Sequence, residues 1–282
     1  MMRYKPMLAH PIGCYDRVKP EDWPLYSQPK LDGVRCLIQY DNSQVTAYSR
    51  TGKEFKNIDH ILFNLKPFFQ LNPNIVLDGE LYNHELKDDF EQIISMVRKT
   101  KPTDEHRCQS QELVQFHCYD VIGLDEFNYS NRHTFIQQNV PRNRFVHHVP
   151  KYRVDCEEEV EVNHEKCLEQ GYEGSILRKD KPYECKRSFN LLKVKDFSDS
   201  EALILDWVEG LGKRKGTIGK FMVQDIDGNL FGMPVMDKFK YLQDNFEEMK
   251  TWVGKFATFT YFERTKAGSY RHPLFKAIRN YE

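Results

Sequence analysis

The chain divides its apolar residues into strand-length runs, and this division limits the fold more than any other feature. VRCLIQY (34–40), QVTAYS (44–49), IVLDGELY (75–82), LVQFHCYDVI (113–122), GSILRK (174–179) and NLLKVK (190–195) are rich in β-branched and aromatic residues and are separated by polar or helical stretches. Asp41-Asn42-Ser43 between the first two runs predicts a β-hairpin. Helical patterns fall between the strands. Residues 57–69 form one. In DDFEQIISMVRK, Phe90, Ile93, Ile94 and Val97 recur at i, i+3, i+4 and i+7, giving a single apolar face, with Asp88 and Asp89 suited to its N-terminus. A charged helix at about 156–170 should stop at Gly171. Strands joined by tight turns, with helices beside them, imply an α+β protein with antiparallel sheets and flanking helices.

The texture changes near DFSDS (196–200). EALILDWVEG, then GKFMVQDIDGNLFGMPV with an Asp227-Gly228 turn, then KFATFTYFER read as short alternating strands, with one helical stretch near 237–252. That pattern predicts a small Greek-key β-barrel of the OB-fold type. The expected division is residues 1–196 and 197–282, with a hinge at about 196–199. With 282 residues, each part can have its own core. No apolar run approaches the ~20 residues of a membrane span, and MMRYKPMLAHPIG lacks a signal peptide's apolar stretch. Seven cysteines without a CxxC pair read as reduced thiols, so the expectation is a soluble protein of a reducing cytoplasm, the host's if the chain is viral. A net charge of −1, from 41 Lys and Arg against 42 Asp and Glu, argues against bulk polyanion binding and leaves room for a local basic face.

KLDGVR (30–35) sets an amine, a carboxylate and a guanidinium around a glycine turn. A free lysine is protonated at neutral pH and is a poor nucleophile; burial and nearby cations lower its pKa and expose the lone pair. Taken alone, Lys30 reads as a surface lysine. Further short segments follow it in order: Ser49-Arg50-Thr51-Gly52, Leu77-Asp78-Gly79-Glu80-Leu81, Phe116-His117-Cys118-Tyr119-Asp120, Glu173-Gly174-Ser175-Ile176-Leu177-Arg178 and Leu192-Lys193-Val194-Lys195. PMLA (6–9) precedes the set and RHPLFKAIR (271–279) ends it.

Together these segments resemble the covalent nucleotidyltransferases, and most closely the small ATP-dependent DNA ligases of viral and phage type. The resemblance implies a nucleotidyltransferase (ATP-grasp-like adenylation) domain followed by the OB-fold. It implies ATP and Mg2+ or Mn2+ as cofactors, nicked duplex DNA as partner, no membrane association and a monomer. Lys30 would attack the α-phosphate of ATP and carry AMP. Arg35 and Glu80 would contact the ribose, Gln28 would belong to the same nucleotide-binding set, and Tyr119 would stack on adenine opposite Leu191. Glu173, with Glu80, would hold the metal. Lys193 and Lys195 would neutralise phosphates, and Asp32 would assist the 3′-hydroxyl. Arg50, with Arg35, would grip DNA at the 5′-phosphate of a nick. Arg271 and Arg279 would orient the pyrophosphate.

Other readings stay open for several of these residues. Lys193 and Lys195 also fit the solvated face of an edge strand. Lys213-Arg214-Lys215 in GLGKRKGTIG, and Lys186-Arg187, are either solvated loops or contacts to DNA phosphates. His147-His148 reads as structural. An mRNA capping guanylyltransferase and an RNA ligase share the lysine segment, and a nick-binding module without catalysis is the non-enzyme alternative. SRTG, PMLA and RHPLFKAIR stand against the guanylyltransferase, Arg35 and the C-terminal part against the RNA ligase, and the intact set of lysines and glutamates against a binding module. Only 29 residues precede Lys30, so no separate DNA-encircling domain is expected ahead of it. No added clamp hairpin is evident, so basic loops are expected to hold DNA. Charge reversal across Lys213-Arg214-Lys215 should therefore weaken nicked-duplex binding in a gel-shift titration while sparing adenylation of Lys30.

Overall fold

The computed structural model describes residues 2–11, 17–87, 89–194, 198–261, 263–264 and 269–279. The chain forms two compact units, Met1–Lys195 and Asp196–Glu282.

The first unit contains two five-stranded sheets. One is built from β1 (Leu8–Pro11), β2 (Leu25–Pro29), β8 (Tyr152–Val154), β9 (Ser175–Arg178) and β10 (Arg187–Val194), in the order β1-β10-β9-β2-β8. The other is built from β3 (Val34–Asp41), β4 (Gln44–Ser49), β5 (Val76–Tyr82), β6 (Gln115–Ile122) and β7 (Val146–His148), in the order β4-β3-β5-β6-β7. The ladders are antiparallel except at two sheet edges, where β1 joins β10 and β7 joins β6 in parallel. The β3–β4 hairpin closes through Asn42 and Ser43, both at positive φ (46° and 63°), the twist a two-residue turn requires.

Among the described residues five α-helices accompany these sheets: α1 (Asp59–Leu71), α2 (Phe90–Val97), α3 (Asp104–Leu113), α4 (Tyr129–Asn139) and α5 (Glu157–Glu169). The main core gathers Cys36, Ile38 and Leu77 with Ile61, Leu65 and Phe68 of α1 and Ile93 and Val97 of α2. On α2, Ile93 and Val97 are buried while Phe90 and Ile94 are half-buried, so the expected face is present. Asp89 lies at its N-terminus and accepts the Gln92 side-chain amide (2.8 Å); Asp88 lies outside the described residues. A second core of Leu25, Val154, Leu177 and Leu192 packs with Val160 of α5. Gly171, at φ +82°, follows that helix as expected. None of the six described cysteines is in a disulfide, and no helix among the described residues is long and apolar enough to cross a membrane.

Two helices were not legible in the sequence. Only Ser110 of α3 is buried, so no apolar period marks it; its signal is the Thr103 side chain, which accepts the His106 backbone N–H (3.3 Å). The inward face of α4 includes Arg132 and His133 as well as Tyr129 and Ile136, which hides its period. The strand expected to begin at residue 113 begins at Gln115, because Leu113 closes α3.

In the second unit, β11 (Ser198–Glu209), β12 (Ile218–Asp225), β13 (Leu230–Pro234), β14 (Phe256–Tyr261) and β17 (Leu274–Ile278) form an antiparallel sheet in the order β13-β12-β11-β14-β17. A small ladder joins β15 (Glu263–Arg264) to β16 (Tyr270–Arg271). The helical stretch divides into α6 (Phe239–Asp244) and α7 (Phe246–Lys250). Ala202, Ile204, Phe221, Val223, Met233 and Phe259 form the core with Leu242 and Met249 of these helices. Among the described residues the ladders make an open sheet, and none closes it into a barrel.

One buried cluster crosses the first unit. Asp120 of β6 receives Arg132 Nε of α4 (2.7 Å) and Arg178 Nη1 of β9 (2.7 Å). Burial alone would raise this carboxyl, but the two guanidinium charges hold it below the usual carboxylate range. Asp120→Asn should lower stability by about 3–5 kcal/mol in urea denaturation, because two buried cations lose their anion.

Candidate active site

Strand register brings the opening lysine to its partner. β2 pairs with β9 as far as Pro29 and Ser175. One residue further, Lys30 N donates to Gly174 O (2.9 Å) and Glu173 N donates to Lys30 O (3.1 Å). The side chains then meet, with Lys30 Nζ ion-paired to the Glu173 carboxylate. Their exposures are 19% and 5%, so this is a sheltered pair. Gly174 has φ +140°, and a Cβ there would lie 2.4 Å from Val194 O, so a side chain is excluded by both strain and space. Gly33 is constrained by a neighbour: a Cβ would fall 2.5 Å from Leu81 O and 2.6 Å from Glu80 Cγ.

Lys30 lies in the wall of a cavity of about 290 Å³ within the first unit. Nine residues singled out from sequence line it: Gln28, Lys30, Arg35, Arg50, Glu80, Tyr119, Arg187, Leu191 and Lys193. Arg35 and Glu80 are ladder partners on β3 and β5, and Tyr119 Oη donates to Glu80 Oε2 (3.2 Å). Arg35 is firmly held: Nε and Nη2 grip the Asp78 carboxylate (2.7 and 2.5 Å), and Nη2 also donates to Met7 O (3.1 Å). Tyr183 Oη donates to the same carboxylate (2.6 Å).

The electrostatics divide the cavity. Burial pushes the Glu80 carboxyl up to about 7, against the lowering pull of the Arg35 and Lys30 charges. Burial also lowers the Lys193 amine, and the Lys30, Arg187 and Arg50 charges add to the effect. One wall is therefore a concentration of cations suited to phosphate oxygens. Tyr119 and Leu191 supply an aromatic and an apolar surface.

Arg178 also lines this cavity, and sequence reasoning gave it no role. Its guanidinium lies 5.4 Å from the Tyr119 ring centroid, and its Nε donates to Gln28 Oε1 (2.8 Å). Gln28 Nε2 in turn donates to Val149 O (3.3 Å), which fixes the amide's orientation. A lone arginine ending a strand resembles a surface charge; what distinguishes it is Asp120, 58 positions away and fully buried. Leu8 and Ala9 of PMLA, with Pro29, Leu31 and Ile176, complete the wall.

Residues 6–195 match the ATP dependent DNA ligase domain. The chain belongs to that family. A DNA ligase of African swine fever virus is 30% identical over 205 residues, covering 68% of this chain and 46% of the viral one. A probable DNA ligase of Dictyoglomus turgidum is 25% identical over 214 residues, covering 70% of this chain and 36% of the bacterial one. The chain thus spans less than half the length of these relatives. Among solved structures, a Lig E DNA ligase has TM-score 0.76 at 24% identity, covering 99% of this chain and 100% of its own. A Chlorella virus DNA ligase–adenylate has TM-score 0.52 at 22% identity, covering 98% and 99%. These likenesses show a shared fold.

Other residues singled out from sequence lie elsewhere. Asp32 is half-buried beside Lys30 in the chain but is not in the cavity wall. Lys186 is exposed and pairs with Glu184 (2.9 Å). In the second unit Lys213 and Lys215 are exposed, while Arg214 is half-buried and donates to Val235 O (3.0 Å). Arg271 lies on β16, and Arg279 pairs with Glu201. Lys195 and much of the expected hinge (196–197) are outside the described residues. His147 stacks on His117 (4.8 Å), and His148 Nε2 donates to Val140 O (3.0 Å).

Glu80 gives this site a testable pH dependence. Its folded pKa, about 7, lies above the ordinary 4.5, so the folded state holds the proton more tightly. The associated stability is present below pH 4.5 and is lost as pH rises through about 7. The stability difference between wild type and Glu80→Gln, from urea melts, should decline across that window and level off above it.

Proposed function

We propose that this protein is an ATP-dependent DNA ligase that seals 3′-hydroxyl/5′-phosphate nicks in duplex DNA through a lysyl-AMP intermediate. The observation that carries the reading is the sheltered Lys30–Glu173 pair, whose lysine lies in the wall of a cation-rich cavity that also offers Tyr119 and Leu191. Phosphoryl transfer depends on positioning and charge neutralisation, and these side chains supply both.

In this reading Lys30 Nζ, once deprotonated, attacks the α-phosphorus of ATP; a P–N bond forms as the bond to pyrophosphate breaks. AMP then passes to the DNA 5′-phosphate, and the 3′-hydroxyl displaces it. Tyr119 and Leu191 enclose the adenine, with Gln28 at the same wall. Glu80 faces the ribose, within hydrogen-bond reach of Tyr119 Oη. Arg35, fixed by Asp78, is a rigid wall beside the ribose and the DNA end. Lys193 and Lys195 receive phosphate charge, and Arg50 and Arg187 take the 5′-phosphate strand. Asp32 assists the 3′-hydroxyl.

Magnesium is the fitting metal. It commonly binds through one or two carboxylates plus substrate phosphates rather than through an all-protein cage. Among the described residues no cluster of three His, Cys, Asp or Glu is present, whereas Glu173 pairs with Lys30 and Glu80 shares the cavity wall with it. Glu173, with Glu80, would hold the ion, which when bound would neutralise phosphate charge.

The second unit is read as an OB-type domain, on the strength of its five antiparallel strands and the Asp227-Gly228 turn. Arg271 and Arg279 would act on pyrophosphate and Lys213 and Lys215 on the DNA backbone, with a single chain serving one nick.

Incubation with labelled ATP or GTP and magnesium, followed by a denaturing gel and peptide mass spectrometry, tests the reading. Label should come from ATP, sit on Lys30 and vanish in Lys30→Ala, and the wild type should join nicked DNA in preference to nicked RNA. Label from GTP alone would assign the pocket to guanylyl transfer, and no label would end the proposal.

A further inference from the structure

Beside the cavity, two rings form a surface that the proposed chemistry does not use. β1 and β10 pair in parallel with Leu8 opposite Arg187 and Ala9 opposite Ser188. Leu8, Ala9 and Arg187 are cavity wall; the adjoining side chains are His10 and Phe189. The ladder shifts register between Ala9 and His10, a break that re-aims the side chain after it. The His10 and Phe189 rings lie face to face, with centroids 3.9 Å apart and planes 3° from parallel.

This stack is not core. Neither ring belongs to an apolar cluster among the described residues, and Phe189 keeps 37% of its surface exposed. Two arginines border it. The Arg17 guanidinium sits 5.5 Å from the Phe189 ring centroid. Arg187 donates to Ala9 O (2.5 Å), which anchors its charge at the base of the stack. Burial, with the Arg187 charge, lowers the His10 pKa, which favours the neutral imidazole and so a ring that stacks without adding a cation. Exposed aromatic planes bordered by guanidinium groups are the surface on which nucleic-acid strands settle: rings meet bases and sugars, and cations meet phosphates. The position selects the occupant, because Arg50 and Arg187 open into the same cavity as Lys30.

We infer that the His10–Phe189 stack, with Arg17 and Arg187, is a contact for the nucleotide flanking the reacting 5′-phosphate on the nicked strand. The inference rests on the ligase reading above and adds to it a DNA subsite outside the adenylate pocket. Phe189 is a positioning residue for DNA here.

The test uses the full chain and a fluorescent nicked duplex with a dideoxy 3′ terminus, so that binding is read without sealing. Phe189→Leu, which keeps apolar bulk and loses the plane, should weaken binding about tenfold. Phe189→Trp should restore it to within about twofold of wild type, while ATP labelling of Lys30 stays at the wild-type level in both. Arg17→Gln should reduce the slope of log affinity against log salt by about one, and Phe189→Leu should leave that slope unchanged. Wild-type affinity in Phe189→Leu would overturn the inference, as would a parallel loss of Lys30 labelling, which marks a structural role. If the wild type is labelled by ATP and does not bind the nicked duplex, this subsite falls and nucleotidyl transfer stands. If the wild type is never labelled while Phe189→Leu still weakens DNA binding, the ligase reading falls and the DNA contact stands.

Discussion

Much of the first unit is organised around one buried carboxylate. Asp120 belongs to the sheet that carries Glu80 and Tyr119, Arg178 to the sheet that carries Lys30 and Lys193, and Arg132 to α4. Two guanidinium groups converge on one anion, all three buried from bulk solvent, so the two sheets and the helix are referenced to a common point. Through Arg178 and Gln28 that reference extends to the cavity wall. The cluster's energetic worth lies mainly in what its loss would expose, since an unpaired buried charge costs far more than a paired one yields.

A second network fixes the opposite wall by the same means. Asp78 is fully buried and accepts from Arg35 and from Tyr183, whose hydroxyl in turn accepts the Met7 N–H (2.7 Å). The PMLA segment is thereby tied to the β3–β5 ladder. The cavity is thus braced by two buried carboxylates outside its wall, while the Lys30–Glu173 pair is held by backbone hydrogen bonds. Rigidity of this kind suits the proposed phosphoryl transfer, which depends on holding phosphates still.

How much of this was legible depended on where each residue finds its partner. The β3–β4 hairpin and the end of α5 are local events, written in alternation, turn residues and Gly171. Lys30, Glu80 and Tyr119, which line one cavity, could be singled out because several ordered segments had to agree with one another. Arg178 and α4 were not, because their signature is a charge buried against a distant strand, and in sequence such a charge looks like solvated surface. Arg214 shows the reverse case: within an apparently uniform basic run, one guanidinium is occupied by Val235 O while its neighbours stay exposed. The two parallel edge pairings were missed for a related reason, since the short strands β1 and β7 take their form from the ladders they join.

The reciprocal backbone bonds between Lys30 and Glu173–Gly174 unite positions 143 residues apart. Their meeting is decided by two adjacent strands and not by the length of chain that separates them. Surface connections in that interval could grow, shrink or even be severed without parting the amine from its carboxylate. Chains of very different size can therefore share one reactive centre, and a duplicated, trimmed or circularly permuted descendant would keep it wherever β2 and β9 still lie side by side.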